Sequence, residues 1–295
     1  MTQIGFIGLG RMGFPMAQNL IKAGHAVTGF DVDSAAAERL SAVSGTVATA
    51  IDVACGGAEV VITMLPTGKE VREVYLGSGG ILASALDGAL LIDCSTIDVD
   101  SARAVAAAAQ VNELRIVDAP VSGGVAGAEA ATLTFMVGGS DIAFEKANPI
   151  LAAMGKIIVH AGSAGAGQAA KICNNMMLGV SMIAVCEAFS LAGKLGLDAQ
   201  KLFDIASQSS GQCWAMTKYC PVPGPVPTSP ANRGYQPGFT AAMMLKDLLL
   251  AQAAAKASGA KAPMAAGAAA LYDLFVDQGH AGMDFSGIIK LLDHE

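Results

Sequence analysis

At 295 residues the chain exceeds the usual size of one compact domain, so two domains are expected. Hydrophobic residues make up 53% and charged residues 15%, a composition that fills a large core and excludes a disordered chain. A formal net charge of -7 with no basic run excludes a broad cationic surface for nucleic acid.

The first half alternates short β-rich runs with helical stretches. Strands are expected over Gln3–Ile7, Ala26–Phe30, 60–64, 90–94, 115–119 and 133–137, with a helix over 12–23. Such alternation describes an α/β fold with a doubly wound parallel sheet, the Rossmann arrangement. A last strand-like run, 157–160, is followed by a glycine-rich turn, and beyond it the periodicity is almost wholly helical. The boundary is therefore placed there, with a Rossmann domain over 1–163 and an all-α C-terminal domain over 164–295.

Residues 166–195 read as one long connecting helix, apolar all round and so buried between domains or subunits. Its most apolar part, 176–186, is shorter than the roughly 20 residues that span a bilayer, so no membrane segment is expected. Further helices are expected over 199–207, Ala241–Ser258, 263–278 and 286–292. The proline-rich segment 219–238 reads as an ordered loop over a cleft, or else as a linker or polyproline ligand. Cys55, Cys94, Cys173, Cys186, Cys213 and Cys220 include no CxxC pair, so a reduced compartment and no structural metal are expected, with Cys213 and Cys220 as candidate reactive thiols. The N-terminus lacks the pattern of a secretory leader, which points to the cytoplasm, or to an organelle matrix if a leader has been removed.

Gly8, Gly10 and Gly13 form GxGxxG directly after a strand and before a helix. The first glycine makes the turn, the second admits a pyrophosphate and the third lets the helix pack closely, so Gly8, Leu9, Gly10, Arg11, Met12 and Gly13 are expected to cradle a dinucleotide. Asp31 ends the second strand where an acid accepts hydrogen bonds from the adenosine ribose and repels a 2′-phosphate, favouring NAD over NADP; Asp33 is a rival for that role. Met64, Leu65, Pro66, Thr67, Ser95 and Thr96 end the next strands, where open α/β sheets bind ligands, unless the hydroxyl residues only cap helices.

In the segment DAPVSGG, residues 118–124, glycines let backbone N–H groups converge on an anion, and Ser122, Gly123 and Gly124 form a natural carboxylate cradle. Lys171 and Asn175, spaced i, i+4, share one face of an otherwise apolar helix. Burial disfavours an ammonium and suits this lysine to proton transfer, with Asn175 holding it; the alternative is a lysine that reaches the surface.

The segments GFIGLGRMGFPMAQNL, DAPVSGG followed by TLTFMVGG, GAGQAAKICNN and FTAAMMLKDL, in this order, resemble the β-hydroxyacid dehydrogenases over essentially the whole chain. The resemblance implies NAD as cofactor, hydride passing between nicotinamide and an alcohol carbon, and a homodimer or homotetramer. It implies Lys171 as general acid/base, with Asn175 orienting it or the substrate. It further implies Ser122, Gly123 and Gly124 on the substrate carboxylate, and Lys246 near substrate and cofactor. The segment 221–239 is similar to the branch that oxidises (S)-3-hydroxyisobutyrate to methylmalonate semialdehyde in valine catabolism. That makes a small hydroxy acid the expected substrate and Trp214 and Phe239 the expected walls around its methyl group. Reduction of tartronate semialdehyde, succinic semialdehyde or glyoxylate, or dinucleotide binding without catalysis, are the alternatives. Ala131 stands where the family usually has glycine.

Overall fold

The structure, a computed structural model, describes residues 1–293. The chain divides into two compact units, Met1–Lys171 and Ile172–Glu295. The first carries nine strands: β1 Gln3–Ile7, β2 Ala26–Phe30, β3 Thr46–Val47, β4 Val60–Thr63, β5 Leu90–Asp93, β6 Arg115–Asp118, β7 Val121–Ser122, β8 Leu133–Gly139 and β9 Gly155–Gly162. Its helices are α1 Gly13–Lys22, α2 Ser34–Ser41, α3 Ile51–Cys55, α4 Gly68–Leu76, α5 Ile81–Ser84, α6 Val99–Val111, α7 Gly124–Glu129 and α8 Asp141–Leu151.

The sheet order is β3-β2-β1-β4-β5-β6-β8-β7, with β9 also pairing β8. From β3 to β6 every pairing is parallel. The expected parallel sheet is present, and β8 departs from it by running antiparallel to β6 and β7. The connection over 123–132 falls short of the roughly dozen residues that a crossover between parallel strands needs, so the chain reverses instead. Adjacent residues of the central strands enter different cores: Phe6, Ile62 and Ile92 join one cluster, Ile7, Val61 and Leu91 the other. Both faces are buried, which is why these strands read as continuous apolar runs without alternation.

Helix α9, Ala166–Lys194, is 29 residues long and contains the division between the units. With a most apolar window of mean hydropathy 1.7, it is long and apolar enough to cross a membrane, contrary to the length taken from 176–186. The helix runs straight through Lys171 and Glu187, because a charged side chain does not end a helix. Gln168, Lys171 and Asn175 along it are buried in protein.

The second unit has no strand among the described residues. It packs α10 Ala199–Ala206, α11 Trp214–Thr217, α12 Ala241–Ser258, α13 Pro263–Phe275 and α14 Ile289–Asp293 around Met182, Phe189, Met244, Leu248, Tyr272, Phe275 and Phe285. The helix expected over 263–278 stops at Phe275, and a π turn follows in which Gly279 takes φ 90°. The helix expected over 286–292 starts instead as a 3₁₀ turn, Phe285–Ile288.

The proline-rich segment is ordered. Asn232 accepts from Gly224 N–H at 2.9 Å and donates to Val226 O at 2.8 Å. Both ends of the segment meet on the buried Asp284, which accepts from Tyr219 OH at 2.9 Å and Gly238 N–H at 3.0 Å.

Candidate active site

The three glycines of the first turn differ in what surrounds them. A β-carbon on Gly8, whose φ is +94°, would stand 2.3 Å from Met64 O, and one on Gly13 would stand 1.9 Å from Gly8 O. A β-carbon on Gly10 would meet nothing within 4 Å. Gly8 and Gly13 therefore close the turn onto the sheet, and Gly10 leaves the open space a pyrophosphate requires. Helix α1 begins at Gly13, and its N-cap residue Met12 makes no side-chain cap, so no side chain competes for the N-terminal amides. The Leu9 side chain is wholly buried, so only its backbone belongs to the turn.

Asp31 accepts from Leu9 N–H at 2.7 Å and from Asp33 N–H at 2.8 Å. Its rival Asp33 caps α2 by accepting from Ala35 N–H at 3.0 Å. The carboxylate on the glycine turn is thus that of Asp31. Arg39 closes the same corner, donating to Leu9 O at 3.0 Å with its guanidinium 4.9 Å from the Phe14 ring centre. NAD fits this set of groups: an open turn, an uncapped helix start and an acid at the end of β2.

At the ends of β4 and β5 lies a buried polar network. Asp93 accepts from Thr63 Oγ1 at 2.7 Å and from Ser95 Oγ at 2.6 Å, and Ser95 Oγ in turn accepts from Leu65 N–H at 2.8 Å. Ser95 is fully buried and braces the loop of Met64, Leu65, Pro66 and Thr67 from behind. Thr67 caps α4 through Lys69 N–H and also bonds Glu70. Thr96 and Met64 remain half-buried at the strand ends. Burial pushes the Asp93 carboxyl above the usual range against these hydrogen bonds.

Ser122 lies half-buried in β7, and Gly123 and Gly124 follow with φ of 137° and 62°. Two successive positive φ values are a conformation that glycine adopts without strain. Asp118, at the end of β6 just before this turn, accepts from Gly165 N–H at 2.7 Å and Gln168 N–H at 2.9 Å. Burial pushes its carboxyl up to about 6, with the two amides opposing.

Lys171 is 7% exposed, which removes the surface alternative. In the second unit, Asn175 donates to Asp247 Oδ2 and accepts from Asn174 Nδ2 at 2.9 Å. Lys246 Nζ stands 3.8 Å from Asp247 Oδ1. The buried Asp247 had no separate signal in sequence, where it passes for the surface partner of Lys246. Trp214 is half-exposed and stacks on Tyr219 at 5.1 Å; Phe239 meets Phe285 edge to face at 5.8 Å. Cys220 is no reactive thiol, since burial raises it away from the thiolate form; Cys213 is half-buried.

The family pattern described as the NAD binding domain of 6-phosphogluconate dehydrogenase matches residues 3–162. A second, described as NAD-binding of NADP-dependent 3-hydroxyisobutyrate dehydrogenase, matches 165–292. A probable 3-hydroxyisobutyrate dehydrogenase of Mycobacterium tuberculosis is 52% identical over 292 residues, 99% of this chain and 98% of the relative. The chain belongs to the 3-hydroxyisobutyrate dehydrogenase family. A solved structure of the Mycobacterium tuberculosis 3-hydroxyisobutyrate dehydrogenase with L-serine has a TM-score of 0.96 at 52% identity and covers 100% of both chains. An NAD-dependent L-serine dehydrogenase of Pseudomonas aeruginosa is 50% identical over 293 residues, 99% of this chain and 98% of the relative. As a member of the 3-hydroxyisobutyrate dehydrogenase family, the protein is an NAD-dependent oxidoreductase, a β-hydroxyacid dehydrogenase acting on a small molecule.

Proposed function

We propose that the protein oxidises (S)-3-hydroxyisobutyrate to methylmalonate semialdehyde, as in the breakdown of valine, with Lys171 as general acid/base. The observation that carries this reading is the burial of Lys171 on a helix whose first turn is bound to Asp118, the residue that opens the DAPVSGG segment. NAD supplies a nicotinamide carbon that accepts hydride. The turn from Gly8 through Leu9, Gly10, Arg11 and Met12 to Gly13 holds the pyrophosphate, Asp31 the adenosine ribose, and the segments of Met64 to Thr67 and of Ser95 and Thr96 flank the nicotinamide end.

Ser122 and the amides of Gly123 and Gly124 hold the substrate carboxylate. With the carboxylate fixed, Lys171 takes the hydroxyl proton as the carbinol carbon loses hydride, so the alcohol gives up two electrons and two hydrogens in all. Asn175, held by Asp247, keeps this face of α9 polar one turn further on. Lys246, Trp214 and Phe239 contribute to substrate recognition. The half-exposed Met177 and Leu191 of α9 support pairing with a second copy of the chain, as a homodimer or homotetramer.

L-serine is a second reading, favoured by the two relatives whose names carry it. It presents the same carboxylate and primary alcohol, with an ammonium in place of the methyl group. A panel of 3-hydroxyisobutyrate, L-serine and the semialdehydes of the rival reactions, followed by NADH absorbance with both nicotinamide cofactors, separates them. The highest kcat/KM on 3-hydroxyisobutyrate is expected, and a higher value on L-serine overturns that choice. Lys171→Ala is expected to lower kcat by about 10²-fold while NADH binding survives.

A further inference from the structure

Gln168 is 0% exposed and lies three residues before Lys171 on α9. It is bonded on three sides. Its backbone N–H donates to Asp118 Oδ2 at 2.9 Å, next to the Gly165 N–H on Oδ1 at 2.7 Å. Its side-chain Oε1 accepts from Ile97 N–H at 3.1 Å, and its Nε2 donates to Ser95 O at 2.8 Å. The amide therefore pairs with the backbone after β5 as a neighbouring strand would, donor to acceptor and acceptor to donor.

The surroundings leave this turn of α9 no slack. A β-carbon on Gly167 would stand 2.3 Å from Met136 O and 2.6 Å from Asp118 O, and one on Gly138 would stand 2.5 Å from Asp118 Oδ1. Each of the three bonded parts leads to a different part of the proposed chemistry. Asp118 opens the segment that contains Ser122, Gly123 and Gly124. Ser95 holds the loop at Leu65 through its hydroxyl. The helix itself carries Lys171.

A single hydrogen bond would let the helix swivel about it. Two bonds from the side chain and one from the backbone, pointing to different elements, fix its rotation, and rotation sets where a side chain one turn away stands. Two buried backbone groups, Ile97 N–H and Ser95 O, would moreover lose their partner without this amide, each at a cost that disfavours the native arrangement.

We propose that Gln168 is a positioning residue for proton transfer: by joining Asp118 to the backbone of Ser95 and Ile97, it sets the rotation of α9 and with it the place of the Lys171 amine. The proposal rests on Lys171 being the acid/base. Misplacement of a reacting group by about 1 Å can cost on the order of 10²-fold in rate, so loss of the amide acts on kcat even when every reacting group is still present.

The test compares the full-length wild type with Gln168→Met, which keeps the length and removes both hydrogen bonds, and with Lys171→Ala. Three quantities are measured on the best substrate of the panel: the NADH dissociation constant by fluorescence, kcat against KM, and the primary deuterium effect with the carbinol carbon labelled. For Gln168→Met we expect a folded protein, NADH affinity within about twofold, kcat lowered by about tenfold or more, and a larger isotope effect as chemistry becomes limiting. An unchanged kcat and isotope effect in folded Gln168→Met, with Lys171→Ala inactive, overturns the positioning role and leaves the lysine in place. A loss of NADH binding that matches the loss of kcat also overturns it, since the residue would then serve only the cofactor fold. Wild-type turnover in Lys171→Ala overturns the acid/base assignment and the proposal with it. Should Gln168→Met not fold, Gln168→Glu, which keeps the acceptor for Ile97 N–H, is read by the same criteria.

Discussion

Asn175 and Asp247, 72 positions apart, meet through an amide-to-carboxylate hydrogen bond of 2.5 Å, and both are buried. The bond fixes which way the Asn175 amide faces, with its Oδ1 occupied by Asn174. Asp247→Ala strands a buried amide, at a cost of about 1–3 kcal/mol. It is expected to lower the melting temperature and to cut kcat as Asn175→Ala does, with the double variant losing less than the sum of the two. Additive losses in a double-mutant cycle would show that the two residues act separately.

Asp31 and Asp33 are separable by their partners. Asp31→Ala removes the acceptor for Leu9 N–H and the proposed ribose contact, so KM for NAD is expected to rise and the NAD preference over NADP to shrink. Asp33→Ala loses only the cap of α2, about 1 kcal/mol, with cofactor kinetics unchanged. Steady-state kinetics with both cofactors decide the matter, and a shift in preference from Asp33→Ala would reverse the assignment.

Ala131 sits at φ 54° just beyond α7, where Thr132 N–H reaches back to Gly127 O at 2.9 Å. A methyl group in the left-handed region costs about 1–2 kcal/mol, against about 0.4–1 kcal/mol of added chain entropy when glycine replaces alanine. Ala131→Gly is therefore expected to raise the melting temperature by up to about 3 °C with kcat unchanged. A lower melting temperature by calorimetry would rule this account out.

Burial pushes the Asp118 carboxyl up to about 6, against roughly 3.9 in an unfolded chain. Between about pH 4 and 6 the folded state holds a proton that the unfolded state has released, so this group's contribution to stability falls as pH rises and levels off above 6. Asp93, raised by its own burial, acts in the same direction. Melting temperatures across that window are expected to show wild type losing stability relative to Asp118→Asn as pH rises. A wild type that gains on the variant with rising pH contradicts the raised carboxyl.

Asp284 collects Tyr219 OH and the amides of Gly238 and Phe239 on one oxygen, and the amide and hydroxyl of Ser286 on the other. Asp284→Ala leaves several of these buried donors unpaired, a loss on the order of 3 kcal/mol or more. Trp214, the chain's one tryptophan, stacks on Tyr219 and reports on this anchor. A red-shifted emission and faster proteolysis within 219–238 are expected. An unchanged spectrum and digestion pattern would mean that the segment holds itself without Asp284.

What could be read from the chain alone lies close together along it. The glycine turn after β1, Asp31 at the end of β2, and the Lys171–Asn175 face of α9 each follow from local rules: backbone freedom at glycine, the strand–turn–helix unit, and helical periodicity. Burial of Lys171 agrees with its apolar neighbours on either side. The reversal of β8, the split roles of Asp31 and Asp33, the placing of Ser95 behind its loop and the bonds made by Asp118, Gln168, Asp247 and Asp284 do not follow from local rules. Most of these bonds join positions 46 to 73 apart, and several end on backbone amides or carbonyls. A peptide group is the same at nearly every position, so no residue pattern announces which one a buried side chain will meet. Only the packing of strands and helices against one another brings the two within hydrogen-bonding distance.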